Sequence, residues 1–210
     1  MITIYHLETS RSERIVWLME ELGLQYVLEI FPREATAAAP SPSPLKAIHG
    51  LGKAPVIRDG DVILAESGAI VEYIVHRHGA GRLALRPDDP AYARYLYWLH
   101  FAEGSLMSLM LIALVLSRIP EAAESPVTSR IGARITQMLA FVDTELGSGP
   151  WFAGTEFTAA DVMMAFPFTT MRHFFNVDVA PYANLSTYLE RISSRPAYQK
   201  AMTLAGPKTP

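Results

Sequence analysis

Three short stretches of this 210-residue sequence carry side chains suited to chemistry. The first is Glu8-Thr9-Ser10-Arg11-Ser12, where three hydroxyls follow a β-favouring run and precede a helical one. A strand-to-helix turn of this kind aims hydroxyls and the N–H groups of the first helical turn at one spot, which favours an anion. Serine is also a common helix N-cap, so Ser10 or Ser12 could serve the helix alone. The second stretch is Gly50-Leu51-Gly52-Lys53-Ala54-Pro55, a flexible loop ending in a proline at the head of a β-run, where a missing N–H is tolerated. Trans is the default for an X–Pro bond, but a cis bond would turn the N–H and C=O of Ala54 outward. An extended peptide could then pair with them as an added strand. The third is Glu66-Ser67, directly before a helical pattern. Ser67 can cap that helix, while its N–H faces a carboxylate and Glu66 faces an ammonium, a combination that suits an α-amino-acid head group.

These residues need a frame, and the flanking patterns supply one. Ile2, Ile4 and Tyr5 favour a strand; Ile15, Trp17, Leu18 and Leu22 recur at helical spacing, and Gly23 stops the helix. Residues 26–30 read as a second strand. The stretch 32–44, with four prolines, reads as an irregular loop feeding a short helix near 45–49. Apolar runs at 54–58 and 62–64 flank Asp59-Gly60 as a hairpin, and a helix over 67–78 ends at Gly79 and Gly81. Residues 82–90 resemble a linker, and Asp89-Pro90 offers an N-cap followed by proline at the first helical position. Beyond it only helices are expected, at 91–117, 127–146, 159–168, 183–192 and 196–204. The fold class is therefore an α/β N-terminal domain of order βαβ-α-ββα over 1–80, followed by an all-helical domain over 86–210.

Composition narrows the function. A net charge of −3 disfavours duplex nucleic acid or an anionic membrane as partner. With no cysteine there is no disulfide framework, thiolate metal site or cysteine nucleophile. The six histidines form no ligand triad, and no Walker or dinucleotide glycine pattern occurs, so no metal is expected. The N-terminus lacks the charged segment of a secretory signal, and the apolar run 106–116 falls short of the roughly 20 residues of a membrane span. A cytoplasmic protein is expected.

Taken jointly, the element order, the hydroxyl after the first strand, Lys53-Ala54-Pro55 and Glu66-Ser67 resemble the thioredoxin-like N-terminal domain of cytosolic glutathione transferases of the serine type, bacterial-like. The second half is similar too: Trp151-Phe152-Ala153-Gly154, then Phe157-Thr158-Ala159-Ala160-Asp161, looks like that family's capping motif before a central buried helix. The resemblance covers nearly the whole chain. It implies a mixed four-stranded sheet, glutathione as co-substrate and a homodimer. It also implies that Ala54 pairs with the cysteinyl unit across a cis Pro55, that Glu66 and Ser67 hold the γ-glutamyl end, and that Lys53 lies near the glycine carboxylate. Ser10, four residues before Arg14, matches the activating serine; Tyr5 and then Ser12 are the alternatives.

What such a site must do follows from acid–base chemistry. A thiol of pKa about 8.5 is only about 3% thiolate at pH 7, and lowering that pKa by about 2 units takes roughly 2.7 kcal/mol. Two or three charge-assisted contacts suffice. The thiolate would attack an apolar electrophile; the same thiolate could reduce a peroxide or disulfide, or the fold could only bind glutathione. Tyr95, Trp98 and Met107, at near-helical spacing on the first helix of the second domain, suit an apolar co-substrate site, and equally suit a core or dimer interface. Thr158 and Asp161 fit a capping box with a folding role.

Overall fold

The structure, a computed structural model, describes residues 1–33, 44–174 and 177–207. Residues 34–43 of the irregular loop expected over 32–44 lie outside the described residues. The N-terminal pattern folds as β1 (Ile2–Leu7), α1 (Glu13–Leu22), β2 (Tyr26–Phe31), β3 (Val56–Asp59), β4 (Val62–Ala65) and α2 (Ser67–Arg77). The sheet runs β2-β1-β3-β4, with β1 parallel to β2 and antiparallel to β3, and β3 antiparallel to β4. A helical crossover lets β1 and β2 run parallel, whereas the two-residue turn between β3 and β4 enforces the opposite sense. Gly60 in that turn has a φ of 58°, a left-handed value that glycine adopts without steric cost.

Strand periodicity sorts β1 by face. Ile2, Ile4 and His6 fall on one side, and Tyr5 on the other, where it packs with Leu45 and Val56. Ile15 to Met19 of α1 are all buried, so this helix needs cover on more than its sheet side. The cover comes from the far end of the chain. In α8 (Pro196–Ala205), Tyr198 meets Trp17 edge-on at 5.0 Å, and Lys200 Nζ lies 2.8 Å from Glu20. Just before it, Arg195 donates through Nε and Nη2 to the two carboxylate oxygens of Glu21 at 2.6 and 2.7 Å. The chain accordingly forms two compact units, Met1–Leu83 with Ser194–Pro210, and Ala84–Ser193. Residues 194–207, read from sequence as part of the helical domain, pack with the N-terminal unit.

The second unit is helical: α3 (Tyr92–Phe101), a π-helical turn (Ala102–Met107), α4 (Ser108–Leu116), α5 (Pro126–Leu146), α6 (Ala159–Phe168) and α7 (Ala183–Ser193). The helix expected over 91–117 thus carries a π turn. Asp89 accepts the Ala91 N–H at 2.8 Å and closes a turn before α3; the N-cap position falls to Ala91. Among the described residues, Tyr92–Leu116 is the one helical run long and apolar enough to cross a membrane by length and composition, longer than the 106–116 stretch that the sequence singles out. Its Trp98, Leu99, Leu106 and Met110 are buried, and α3 packs on α6.

Every residue of α6 is buried. Its start is secured by the expected capping box: Asp161 accepts the Thr158 N–H at 2.9 Å and also the Phe152 N–H at 3.0 Å, tying the 151–154 loop to the helix. Burial pushes the Asp161 carboxyl up to about 6, against the lowering effect of these hydrogen bonds.

Candidate functional site

At the β1–α1 turn the hydrogen bonds can be followed donor by donor. Ser12 stands at the N-cap position of α1, yet its side chain caps nothing. Backbone carbonyls do that work: Ser10, Arg11 and Ser12 accept the N–H groups of Glu13, Arg14 and Ile15 at 3.0–3.2 Å. The hydroxyls are left for another use. Ser12 Oγ lies 2.7 Å from Ser10 Oγ and 2.8 Å from His6 Nδ1, and accepts the Leu7 N–H at 3.2 Å. Ser10 Oγ accepts the Ser12 N–H at 3.3 Å. Exposure rises along this chain, from 0–1% at Ser12 and His6 to 7% at Ser10, so Ser10 is its outermost member.

Two devices fix the turn. Thr9 takes a φ of 51°, in the left-handed region, and Arg33 donates to the carbonyls of Glu8 and Thr9, both at 3.0 Å. Tyr5 is directed elsewhere: its hydroxyl accepts from Arg58 Nε at 3.0 Å, on the sheet face that holds Leu45 and Val56.

The other two sequence stretches come together at the same end of the sheet as this turn, where β3 begins and β4 ends. The Ala54–Pro55 bond is cis, against the trans default and in keeping with the resemblance. Strand pairing begins at Val56, opposite Tyr5 on one side and Ala65 on the other, so Ala54 lies outside both ladders. The Val56–Ala65 pairing sets Glu66 and Ser67 beside Pro55. Ser67 is the first residue of α2, not its cap; the cap position belongs to Glu66, whose side chain makes no capping bond. Glu66 has a φ of 72°, a conformation that costs a non-glycine residue about 1–3 kcal/mol and recurs at ligand-holding positions.

Lys53, Ala54, Pro55, Glu66 and Ser67 all line one hollow, joined by Arg11 from the β1–α1 turn. It therefore presents two cations, one carboxylate and the N-terminus of α2, an arrangement suited to a zwitterion bearing a further carboxylate. His49 lines it too, a residue that sequence reasoning passed over; its signal is a polar side chain closing the short helix before Gly50. His6 was also missed. The signal was a polar residue on the buried side of β1, six positions before a serine. Tyr95, Trp98 and Met107 are buried, and Trp98 packs 4.7 Å from Phe152 and 5.0 Å from Phe101, so these three serve as core of the helical unit.

Residues 1–76 match the family model of the glutathione S-transferase N-terminal domain, and residues 106–196 match that of the C-terminal domain. The chain belongs to the glutathione S-transferase family. This transferase is 33% identical to glutathione S-transferase 3 of Schizosaccharomyces pombe, over 94% of its own length and 85% of that protein. It is 36% identical to a glutathione S-transferase from Actinobacillus pleuropneumoniae, whose crystal structure it matches with a TM-score of 0.87 over 98% of this chain and 93% of that one. A glutathione transferase family member from Pseudomonas fluorescens, solved with two glutathione bound, shares the fold at a TM-score of 0.79 and 21% identity, over 96% and 92% of the two chains. The protein is thus a glutathione transferase enzyme with glutathione as co-substrate, built from a thioredoxin-like domain and a helical domain. Among the described residues, no group of three or more His, Cys, Asp or Glu is placed to hold a metal ion.

Proposed function

We propose that this transferase binds glutathione across Lys53, Ala54, Pro55, Glu66 and Ser67 and activates its thiol with the Ser10 hydroxyl for attack on an apolar electrophile. The observation that carries this reading is the convergence of those five residues and Arg11, the neighbour of Ser10 in the chain, on one hollow of the N-terminal unit. In this reading Glu66 takes the γ-glutamyl ammonium, while the Ser67 N–H and hydroxyl, at the positive end of α2, take its carboxylate. The Ala54 backbone pairs with the cysteinyl unit as an added strand, and Lys53 meets the glycine carboxylate. So held, the sulfur receives the Ser10 hydroxyl proton as a hydrogen bond, which favours the thiolate over the thiol. The protein supplies ionisation and orientation and forms no covalent bond to either substrate. Residues 1–80 do this work. A homodimer in the cytoplasm completes the reading.

Ser10→Ala is expected to lower kcat/KM for an aryl halide about 100-fold, corresponding to about 2.7 kcal/mol, and more than either Tyr5→Phe or Ser12→Ala does. The thiol of bound glutathione should titrate below its solution value. Wild-type turnover by Ser10→Ala would remove the assignment. Faster turnover of an organic hydroperoxide than of the aryl halide would shift the reaction class to reduction.

A further inference from the structure

The His6, Ser12 and Ser10 side chains form one continuous hydrogen-bonded chain, and its proton count has consequences for the sulfur. Ser12 Oγ has one proton to give and two lone pairs. One lone pair is filled by the Leu7 N–H at 3.2 Å. Likewise one lone pair of Ser10 Oγ is filled by the Ser12 N–H at 3.3 Å. Only two arrangements then satisfy the short contacts of 2.8 and 2.7 Å. If His6 Nδ1 carries a proton, it donates to Ser12, Ser12 donates to Ser10, and the Ser10 proton points outward. If Nδ1 is bare, Ser12 donates to it, Ser10 donates to Ser12, and Ser10 presents an outward lone pair. The Leu7 carbonyl, 3.4 Å from Ser12 Oγ, is the poorer acceptor for the Ser12 proton.

The first arrangement suits a thiolate and the second a thiol, so moving between them is the ionisation itself. We propose that His6 and Ser12 are positioning residues that receive the glutathione proton through Ser10. The proposal rests on Ser10 being the thiol's partner. The S–H proton passes to Ser10 Oγ, the Ser10 proton to Ser12 Oγ and the Ser12 proton to His6 Nδ1. Each bond broken is matched by one formed, sulfur gains a negative charge and the imidazole a positive one. The hydroxyl left facing sulfur is a donor, as a thiolate requires. After sulfur has bonded to the electrophile, the proton returns along the same hydroxyls to water or to an anionic leaving group. Burial of His6 and Ser12 keeps both away from bulk water during this exchange.

The test counts protons. Glutathione binding is measured by calorimetry in buffers of different ionisation heat, with S-methylglutathione binding subtracted as the thiol-free background, and thiolate is followed by its ultraviolet absorbance. Wild type is expected to form thiolate with no net proton released to the buffer. His6→Asn, which keeps a donor for Ser12 but cannot hold the extra proton, should release one proton per thiolate. Ser12→Ala should release it too and form about tenfold less thiolate at neutral pH. Wild type releasing one proton per thiolate overturns the proposal, and this measurement stands even if His6→Asn does not fold. If Ser10→Ala abolishes the thiolate while Ser12→Ala matches wild type in both readouts, the proton path is wrong and the Ser10 assignment survives. If Ser10→Ala keeps the thiolate, that assignment fails and the path falls with it.

Discussion

The turns before α1 and α6 share a sequence spacing and use it in opposite ways. Ser10-x-x-Glu13 and Thr158-x-x-Asp161 both place a hydroxyl three residues before a carboxylate at the start of a buried helix. At α6 the side chains close on the backbone, and Asp161 also holds the Phe152 N–H. At α1 the backbone carbonyls do the capping and the two serines bond to each other and to a histidine. A hydroxyl spent on a cap is unavailable to a ligand. The same spacing is therefore a folding device where side chains satisfy the helix, and it leaves the hydroxyls open to other partners where the main chain does.

Asp161→Ala should show the largest effect. It orphans the buried N–H groups of Phe152 and Thr158, and is expected to cost about 3–5 kcal/mol in urea denaturation. A loss under about 1 kcal/mol would mean that the α6 turn is not held by its side chains.

The pH dependence sharpens the same point. Burial raises the Asp161 carboxyl from 3.8 to about 6, so the folded state favours its protonated form more than the unfolded chain does. The stability this group contributes is fully present below its unfolded value of 3.8 and is lost as pH rises through about 6. Measured against Asp161→Asn, the wild type should lose on the order of 3 kcal/mol across that window. A difference independent of pH would show that the hydrogen bonds outweigh burial.

Ser10→Ala should reverse the pattern: kcat/KM falls by about 100-fold while stability changes by less than about 1 kcal/mol. Equal losses in melting and in turnover would make the α1 turn a folding device after all. The smallest effect is expected at Tyr5→Phe, less than about threefold in kcat/KM, since its hydroxyl faces Arg58.

What was legible in the sequence was what local pattern decides. Element order, the hairpin at Asp59-Gly60 and the Thr158–Asp161 box are set within a few residues, and all appear as expected. The docking of α8 was not, because Arg195 and Glu21 are 174 residues apart and each looks like an ordinary surface charge. Whether Ser10 or Ser12 caps α1 stayed open, because the sequence does not say whether carbonyls or hydroxyls take the first helical N–H groups. Tyr95, Trp98 and Met107 showed apolar helical spacing, which marks a buried stripe without saying whether protein or ligand buries it.

The cover that α8 lays on α1 also fixes an order of events during synthesis. Most of the thioredoxin-like unit precedes the helical unit in sequence, yet one wall of it is specified by residues that follow that unit. At about 5–20 residues per second, the 174 positions between Glu21 and Arg195 keep Trp17 and Glu21 waiting about 9–35 seconds for Tyr198 and Arg195. Throughout that interval the nascent chain holds an apolar helix whose cover in the folded protein has yet to be made.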